Sequence, residues 1–447
     1  MHATPRHNLI VGLGKSGLAC VRHLRARGET VTVCDSRELP PALAALRMEF
    51  PEVEALLGGF PAAPFAAADR VVVSPGVDPR SLPLAAGVPL VGEIELFAQA
   101  AAVPVVAVTG TNGKSTVTTL LGAMAQTAGR RALLGGNLGP PALDLLAAPA
   151  PEFYVVELSS YQLETTVSLN ARAAVVLNAS PHHLDRYPDF AAYLATKARV
   201  FDGDGVMVLN RDDPAVMSLA RDDRRRLTFG LGTPPAGGYG VVERDGAPWL
   251  ARGAEALLPA GVLRIPGRHN RANALAALAL AEALALPRAA CLTALTVYRG
   301  LPHRIEWLAE ADGVRWYNDS KATNPGATAA ALTGLDGPLV LIAGGQPEPV
   351  DYAPLGPAAA GRARAVLLVG DDVEALAAAF APAVPVERVA DLASAVARAR
   401  ALARPGDSVL LSPACASFDR YRDFEQRGEL FAAAVAHQLG LADEGAA

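Results

Sequence analysis

Short runs that are apolar on both faces recur along this chain, and each ends in glycine or in polar residues. NLIVGLG opens the series, followed by TVTVCD ending at Asp35, RVVVSPG at 70–76 and VPVVAVTG before residue 110. Further runs lie at 153–158, 173–178, 206–210, 314–319, 338–345, 364–370 and 407–413. Strands buried on both faces read this way in parallel sheets, and stretches of helical character fill the gaps between them. The pattern predicts helices from residue 114 to about Thr127, from near Asn270, at 326–333 and at 391–404. Between 230 and 260, Gly, Pro and short alternating runs predict an antiparallel excursion. The elements divide into three α/β units: residues 1–92, 93–298 and 299–447. No fixed-period repeat is present.

A length of 447 residues fits two or three domains, and 51 % apolar residues supply large cores. The net charge of -5, with no long basic run, makes nucleic acid a poor partner and leaves an anionic small molecule possible. Cys20, Cys34, Cys291 and Cys415 form no CxxC pair, so free thiols in a reducing compartment are expected. The first residues run almost at once into a strand, without the apolar stretch of a secretory signal, and no membrane span is expected. The composition therefore predicts a cytoplasmic protein. Only four of the 40 basic residues are lysines, namely Lys15, Lys114, Lys197 and Lys321. Arginine replaces lysine on a solvated surface but not where a compact ammonium or a reactive amine is needed, so each of the four is a candidate.

GTNGKST at 110–116 follows a strand and opens a helix. Two residues, Thr111 and Asn112, separate Gly110 from the Gly113-Lys114-Ser115 core, which is shorter than the usual GxxxxGK[ST] spacing. The physics is nevertheless that of a phosphate loop: backbone N–H groups at a helix start face anionic oxygens, Lys114 adds charge, and Ser115 can ligate magnesium. Glu157 ends a strand beside this loop, where a carboxylate is well placed for a divalent cation, although a solvated strand end would look the same. His182, His183 and Asp185 follow another strand end, and the residues alone do not separate the two histidines. Lys197 is either a surface residue or, lacking a nearby acid, a carbamylated metal ligand. His303-Arg304 and Asp319-Ser320-Lys321 open the third unit and are able to address ribose and phosphates, or to pair with each other. Gly12, Gly14 and Gly17 complete a GxGxxG pattern with Asp35 at the end of the next strand, so a dehydrogenase is a rival reading. That rival leaves GTNGKST and Lys321 without a task.

GGNLG at 135–139, ELSSYQLE at 157–164, HHLDRYP at 182–188, GRHNRAN at 267–273, LPHRIE at 301–306, NDSKATNP at 318–325 and LSPACASFDRYRDFEQRG at 411–428 extend the series. Together with GTNGKST, and in this order, they make the chain resemble the Mur ligases, ATP-dependent amide-forming enzymes of peptidoglycan precursor synthesis, and among them the glutamate-adding members. The likeness runs nearly end to end. It implies an α/β fold of three domains: an N-terminal Rossmann-like UDP-binding domain, a central P-loop ATPase-like domain and a C-terminal Rossmann-like domain. It further implies ATP and Mg²⁺ as cofactors, UDP-N-acetylmuramoyl-L-alanine and glutamate as substrates, and a monomer. Leu13, Gly14, Ser36, Arg37, Ser74, Gly76 and Asn137 match positions that bind the UDP substrate. Gly110, Thr111, Asn112, Gly113, Lys114, Ser115, Thr116, Asn270, Arg304, Asp319 and Lys321 match the ATP site. Ser115, Glu157, His183 and carbamylated Lys197 match the metal positions, Lys114, His183 and Lys197 the catalytic ones, and Thr323, Ser417 and Phe424 the glutamate site.

One departure bears on that last site. Where the D-glutamate-adding members usually carry a cation after the strand at 338–345, this chain has Glu348, and an acid facing a dianionic amino acid is repulsive. A subgroup that adds L-glutamate and works with a separate epimerase would fit, so both hands of glutamate stay open. Folylpolyglutamate synthase, a diamino-acid ligase and a non-enzymatic binder fit HHLDRYP and the filled phosphate positions less well.

Overall fold

The computed structural model describes residues 6–441, except 182, 184, 185, 336, 348, 349, 371 and 372. The first sheet holds β1 (His7–Val11), β2 (Thr30–Asp35), β3 (Glu54–Leu57), β4 (Arg70–Val73) and β5 (Leu90–Gly92) in the order β3-β2-β1-β4-β5, all parallel. The second holds β6 (Val105–Thr109), β7 (Ala132–Gly136), β8 (Phe153–Glu157), β9 (Ala173–Val176), β10 (Val206–Asn210) and β11 (Arg226–Phe229). Its order is β11-β10-β9-β6-β8-β7, again parallel throughout. The excursion is an antiparallel three-stranded sheet of β12 (Tyr239–Arg244), β13 (Ala247–Arg252) and β14 (Glu255–Pro259). The last sheet comprises β15 (Glu306–Ala311), β16 (Val314–Asn318), β17 (Leu339–Ala343), β18 (Ala363–Val369), β19 (Val386–Val389) and β20 (Ser408–Leu411). Here β15 is antiparallel on the edge of an otherwise parallel sheet ordered β15-β16-β20-β17-β18-β19. In chain order these are three α/β domains, Rossmann-like, ATPase-like and Rossmann-like.

Contacts group the chain into two compact units, Met1–Ala260 with Ala272–Leu295, and Gly261–Arg271 with Thr296–Ala447. In the first unit the helix Glu93–Ala100 joins the first two sheets: its Ile94, Leu96 and Phe97 belong to one buried cluster that reaches from Ile10 and Leu18 to Val156 and Leu163. The last sheet has separate cores on its two faces, around Leu341, Leu355 and Phe380 and around Trp316, Val396 and Phe431. β6 is buried at every position, which explains why its sequence carries no alternation.

Strand order decides where chemistry can sit. In open parallel sheets ligands bind beyond the carboxyl ends of strands where the winding reverses. In the first sheet that point lies between β1 and β4, in the second around β6 with β8 and β9 beside it. Several strands end earlier than their sequences predict; β4 stops at Val73 and β9 at Val176, freeing residues 74–76 and 177–178 for loops at those ends. Among the described residues no helix is long and apolar enough to cross a membrane.

Candidate active site

The loop 110–113 leaves the end of β6 and delivers the helix Lys114–Thr127. Gly113 has φ +84, which strains any side chain there, and a Cβ would lie 2.5 Å from Asn273 Oδ1 and push that side chain aside. Asn178, after β9, clasps the loop: its carbonyl accepts from Thr111 N (3.0 Å) and its Oδ1 from Asn112 N (2.8 Å). No side chain caps the helix start, which leaves the first-turn N–H groups available to an anion. Lys114 Nζ lies over the loop, donating to Gly110 O (3.1 Å) and Thr111 O (3.0 Å).

Lys197 comes to the same place from the helix Phe190–Ala198. It is 1 % exposed, so the surface alternative fails. Its Nζ donates to Gly110 O (3.1 Å) and Thr109 Oγ1 (3.4 Å) and sits 4.7 Å from the centre of the Tyr193 ring. Burial first, then the charge of Lys114, brings its pKa down to about 7. Tyr193 is held by its hydroxyl, 3.1 Å from Thr111 Oγ1. Glu157 is 2 % exposed rather than a solvated strand end. Its Oε1 accepts from Asn137 Nδ2 (2.6 Å), while Oε2 is buried without a hydrogen-bond partner among the described residues. An unsatisfied carboxylate oxygen is costly, and a cation is one remedy.

His183 has φ +56, and its Nδ1 lies 2.8 Å from the hydroxyl of Tyr161. His182 and Asp185, which share its loop, lie outside the described residues. Among the described residues no three His, Cys, Asp or Glu side chains form a ready cage for a metal. The Glu157 carboxylate and the Ser115 hydroxyl are oxygen ligands of the kind that suits Mg²⁺, which keeps water and substrate phosphate oxygens in its shell.

A cleft of about 730 Å³ runs from the first sheet to the second. Gly14, Ser36, Arg37, Ser74 and Gly76 line one end and Asn137 and Gln162 the other. Leu13 does not line the cleft: its side chain is fully buried and its N–H donates to Asp35 Oδ2 (2.7 Å). Asp35 also accepts from Arg37 N (2.9 Å) and from the Arg37 guanidinium (2.8 and 2.7 Å). Burial raises its pKa, but these donors outweigh burial and hold it at about 2. A carboxylate so occupied is not free for a dinucleotide ribose, which removes the structural basis of the dehydrogenase rival.

The second unit gathers its candidates at the carboxyl ends of β16 and β20. Asp319 is 7 % exposed and accepts from Ile305 N (3.2 Å) and Ser412 Oγ (2.9 Å). Burial pushes its pKa up to about 7 against these bonds and the charge of Arg304. The alternative of a salt bridge between Asp319 and Lys321 is not formed: Lys321 Nζ lies 3.6 Å from the centre of the Phe424 ring, joining an ATP candidate to a glutamate candidate. Thr323 N donates to Lys321 O (2.9 Å), and Ser417 is 2 % exposed. Arg304 is exposed, and Asn270 Nδ2 donates to Pro266 O (2.8 Å). Glu348 lies outside the described residues.

Sequence reasoning missed Arg427, 2 % exposed beneath this cluster. It donates to Ser320 Oγ and O and to Cys415 O and Ala416 O, and burial lowers its pKa to about 10. Tyr161, Tyr193 and the satisfied state of Asp35 were missed as well. Arg427, Tyr161 and Asp35 lay inside quoted runs or motifs and Tyr193 one helical turn before Lys197, but nothing in a sequence marks which polar residue turns inward.

Three family models match the chain in order: "Mur ligase MurD-like, N-terminal domain" at 6–92, "Mur ligase middle domain" at 108–281 and "Mur ligase, glutamate ligase domain" at 303–415. The UDP-N-acetylmuramoylalanine–D-glutamate ligase of Nitrosococcus oceani is 56 % identical over 434 residues, covering 96 % of each chain. That of Pseudomonas aeruginosa is 49 % identical over 441 residues, covering 97 % of this chain and 98 % of its own. Among solved structures, UDP-N-acetylmuramate-alanine ligase MurC from Thermotoga maritima aligns with TM-score 0.56 and 19 % identity over 96 % of this chain and 98 % of that one. UDP-N-acetylmuramoyl-L-alanyl-D-glutamate–2,6-diaminopimelate ligase aligns with TM-score 0.61 and 19 % identity over 97 % and 92 %. The last two bear on the fold alone.

Proposed function

From the premise that this chain belongs to the Mur ligase family, we propose that it joins UDP-N-acetylmuramoyl-L-alanine to D-glutamate at the expense of ATP, in peptidoglycan precursor synthesis. The observation that carries the reading is the convergence of Lys114 and Lys197 on Gly110 O at the phosphate loop, with Glu157 at the end of the adjacent strand and continuous, through Asn137, with the 730 Å³ cleft. The cleft takes the anionic UDP-sugar, and its Asn137 end brings the alanine carboxylate toward the nucleotide.

In the reaction a carboxylate oxygen of the alanine attacks the γ-phosphorus of ATP and ADP leaves. The glutamate nitrogen then attacks the acyl carbon, phosphate departs and the nitrogen loses a proton. Two anions must approach each other in the first step. Lys114 and the helix start offset that repulsion. Mg²⁺, when bound, supplies further charge neutralisation, and Ser115, Glu157, His183 and Lys197 as its carbamate are the residues that would hold it. A buried lysine with pKa near 7 has a substantial neutral fraction, and a neutral amine adds CO₂ to give a carbamate and a proton. Among the residues of the second unit, Asn270, Arg304, Asp319 and Lys321 are read as nucleotide contacts and Thr323, Ser417 and Phe424 as glutamate contacts. Asp319, which accepts from Ile305 N, also shapes the 303–305 loop.

D-glutamate is favoured over L-glutamate because relatives at 49–56 % identity are named for the D form. The case for the L form turned on Glu348, whose position the structure does not describe. Phosphate release from ATP that requires both UDP-N-acetylmuramoyl-L-alanine and glutamate is the expected result. Release at the same rate with either one omitted would contradict the proposal.

A further inference from the structure

Arg186 belongs to neither the phosphate loop nor the metal positions, yet it ties the two walls of the cleft together. Its side chain is 10 % exposed and forked onto Glu164, with Nη2 2.6 Å and Nε 3.2 Å from Oε2. The guanidinium carbon sits 4.7 Å from the centre of the Tyr161 ring, and the Tyr161 hydroxyl meets His183 Nδ1 at 2.8 Å. Nη2 also donates to Val77 O (3.3 Å). Val77 closes the turn that follows β4, its N–H donating to Ser74 O (3.0 Å). Ser74, Pro75, Gly76 and Val77 line the cleft from the first sheet, and Gln162, between Tyr161 and Glu164, lines it from the second. One guanidinium therefore bonds to the backbone of one wall and to the one-turn helix Ser160–Leu163 and its C-cap Glu164 on the other.

We propose that Arg186 is a positioning residue for the UDP-linked substrate: it sets the spacing between the 74–77 turn and the 160–164 segment and so the fit of the cleft. This rests on the ligase reading above. The role needs arginine, since a lysine ammonium cannot fork onto Glu164, stack on Tyr161 and reach Val77 O at once.

The test compares R186A and R186K with wild type, by calorimetric binding of UDP-N-acetylmuramoyl-L-alanine and, separately, of ADP. Losing a buried charged hydrogen-bond network predicts acceptor binding weakened about tenfold in R186A, with R186K closer to alanine than to wild type. ADP affinity stays at the wild-type value in both. Melting curves identify a variant that has not folded, and R186K, which keeps the charge and most of the volume, then carries the test alone. Unchanged acceptor affinity, or an equal loss for ADP and acceptor, overturns the Arg186 assignment while leaving the ligase reading intact. Wild-type protein that binds ADP but not the acceptor overturns the ligase reading, and this proposal with it.

Discussion

Two ammonium groups share one carbonyl oxygen at the centre of the first unit. Lys114 and Lys197 both place Nζ 3.1 Å from Gly110 O, an arrangement that favours losing charge from one of them or adding anions nearby. Replacing Lys114 with alanine removes the mobile cation of the phosphate loop. Turnover is expected to fall by about a thousandfold or more, and near-normal turnover would remove the loop from the ATP site. Lys197→Ala is expected to cost about 10–100-fold or more, the scale of losing a metal-site ligand or its support, with partial return of activity on adding a small carboxylate. Full activity without the carboxylate would eliminate the carbamate. The scarcity of lysine made both residues visible in the sequence. The environment of Lys197 was not, because its partners are a backbone carbonyl, a threonine hydroxyl and an aromatic face drawn from separate segments. Arg427 was missed for the same reason, its acceptors being neutral oxygens brought in by tertiary packing.

At the scale of elements, the long apolar strands were legible because burial on both faces leaves continuous runs. Strand β10 has the predicted bounds, and the antiparallel excursion falls within the predicted span. Short strands such as β3 (EALL), β5 (LVG) and β19 (VERV) were not legible, since three or four residues carry too little pattern. A pH-sensitive joint links two elements. Glu93, first residue of the helix Glu93–Ala100, is 1 % exposed and accepts from Leu143 N (2.8 Å) at the start of the helix Ala142–Leu145. Its Oε2 is buried without a hydrogen-bond partner among the described residues. Burial raises its pKa from 4.5 to about 7, partly opposed by the Leu143 N–H. The unfolded chain then releases this proton near 4.5 and the folded protein near 7, so the group's contribution to stability is intact below about 4.5 and is lost as pH rises through 7. Glu93→Gln should therefore gain about 1–3 kcal/mol relative to wild type between pH 5 and pH 8, read by urea unfolding at both values. A pH-independent difference would mean that Glu93 is not held in this state.

For the molecule as a whole, the motif order gave the three α/β domains, and the cleft lies where two of the sheets reverse their winding. The matching N-terminal family model spans residues 6–92. Contacts nevertheless fuse the first two sheets into one unit, because the apolar face of the helix Glu93–Ala100 packs into a core common to both. That fusion could not be read in advance: a run such as EIELF marks a buried helix without saying which sheets it joins. The glutamate hand is likewise a property of pocket shape rather than of any motif. The most direct measurement is therefore product mass after incubation with ATP, Mg²⁺ and UDP-N-acetylmuramoyl-L-alanine, with D-glutamate and L-glutamate supplied in parallel. A glutamyl adduct with D-glutamate and none with L-glutamate is the predicted result. Product with L-glutamate alone would contradict it and make this chain an L-adding ligase that needs an epimerase downstream.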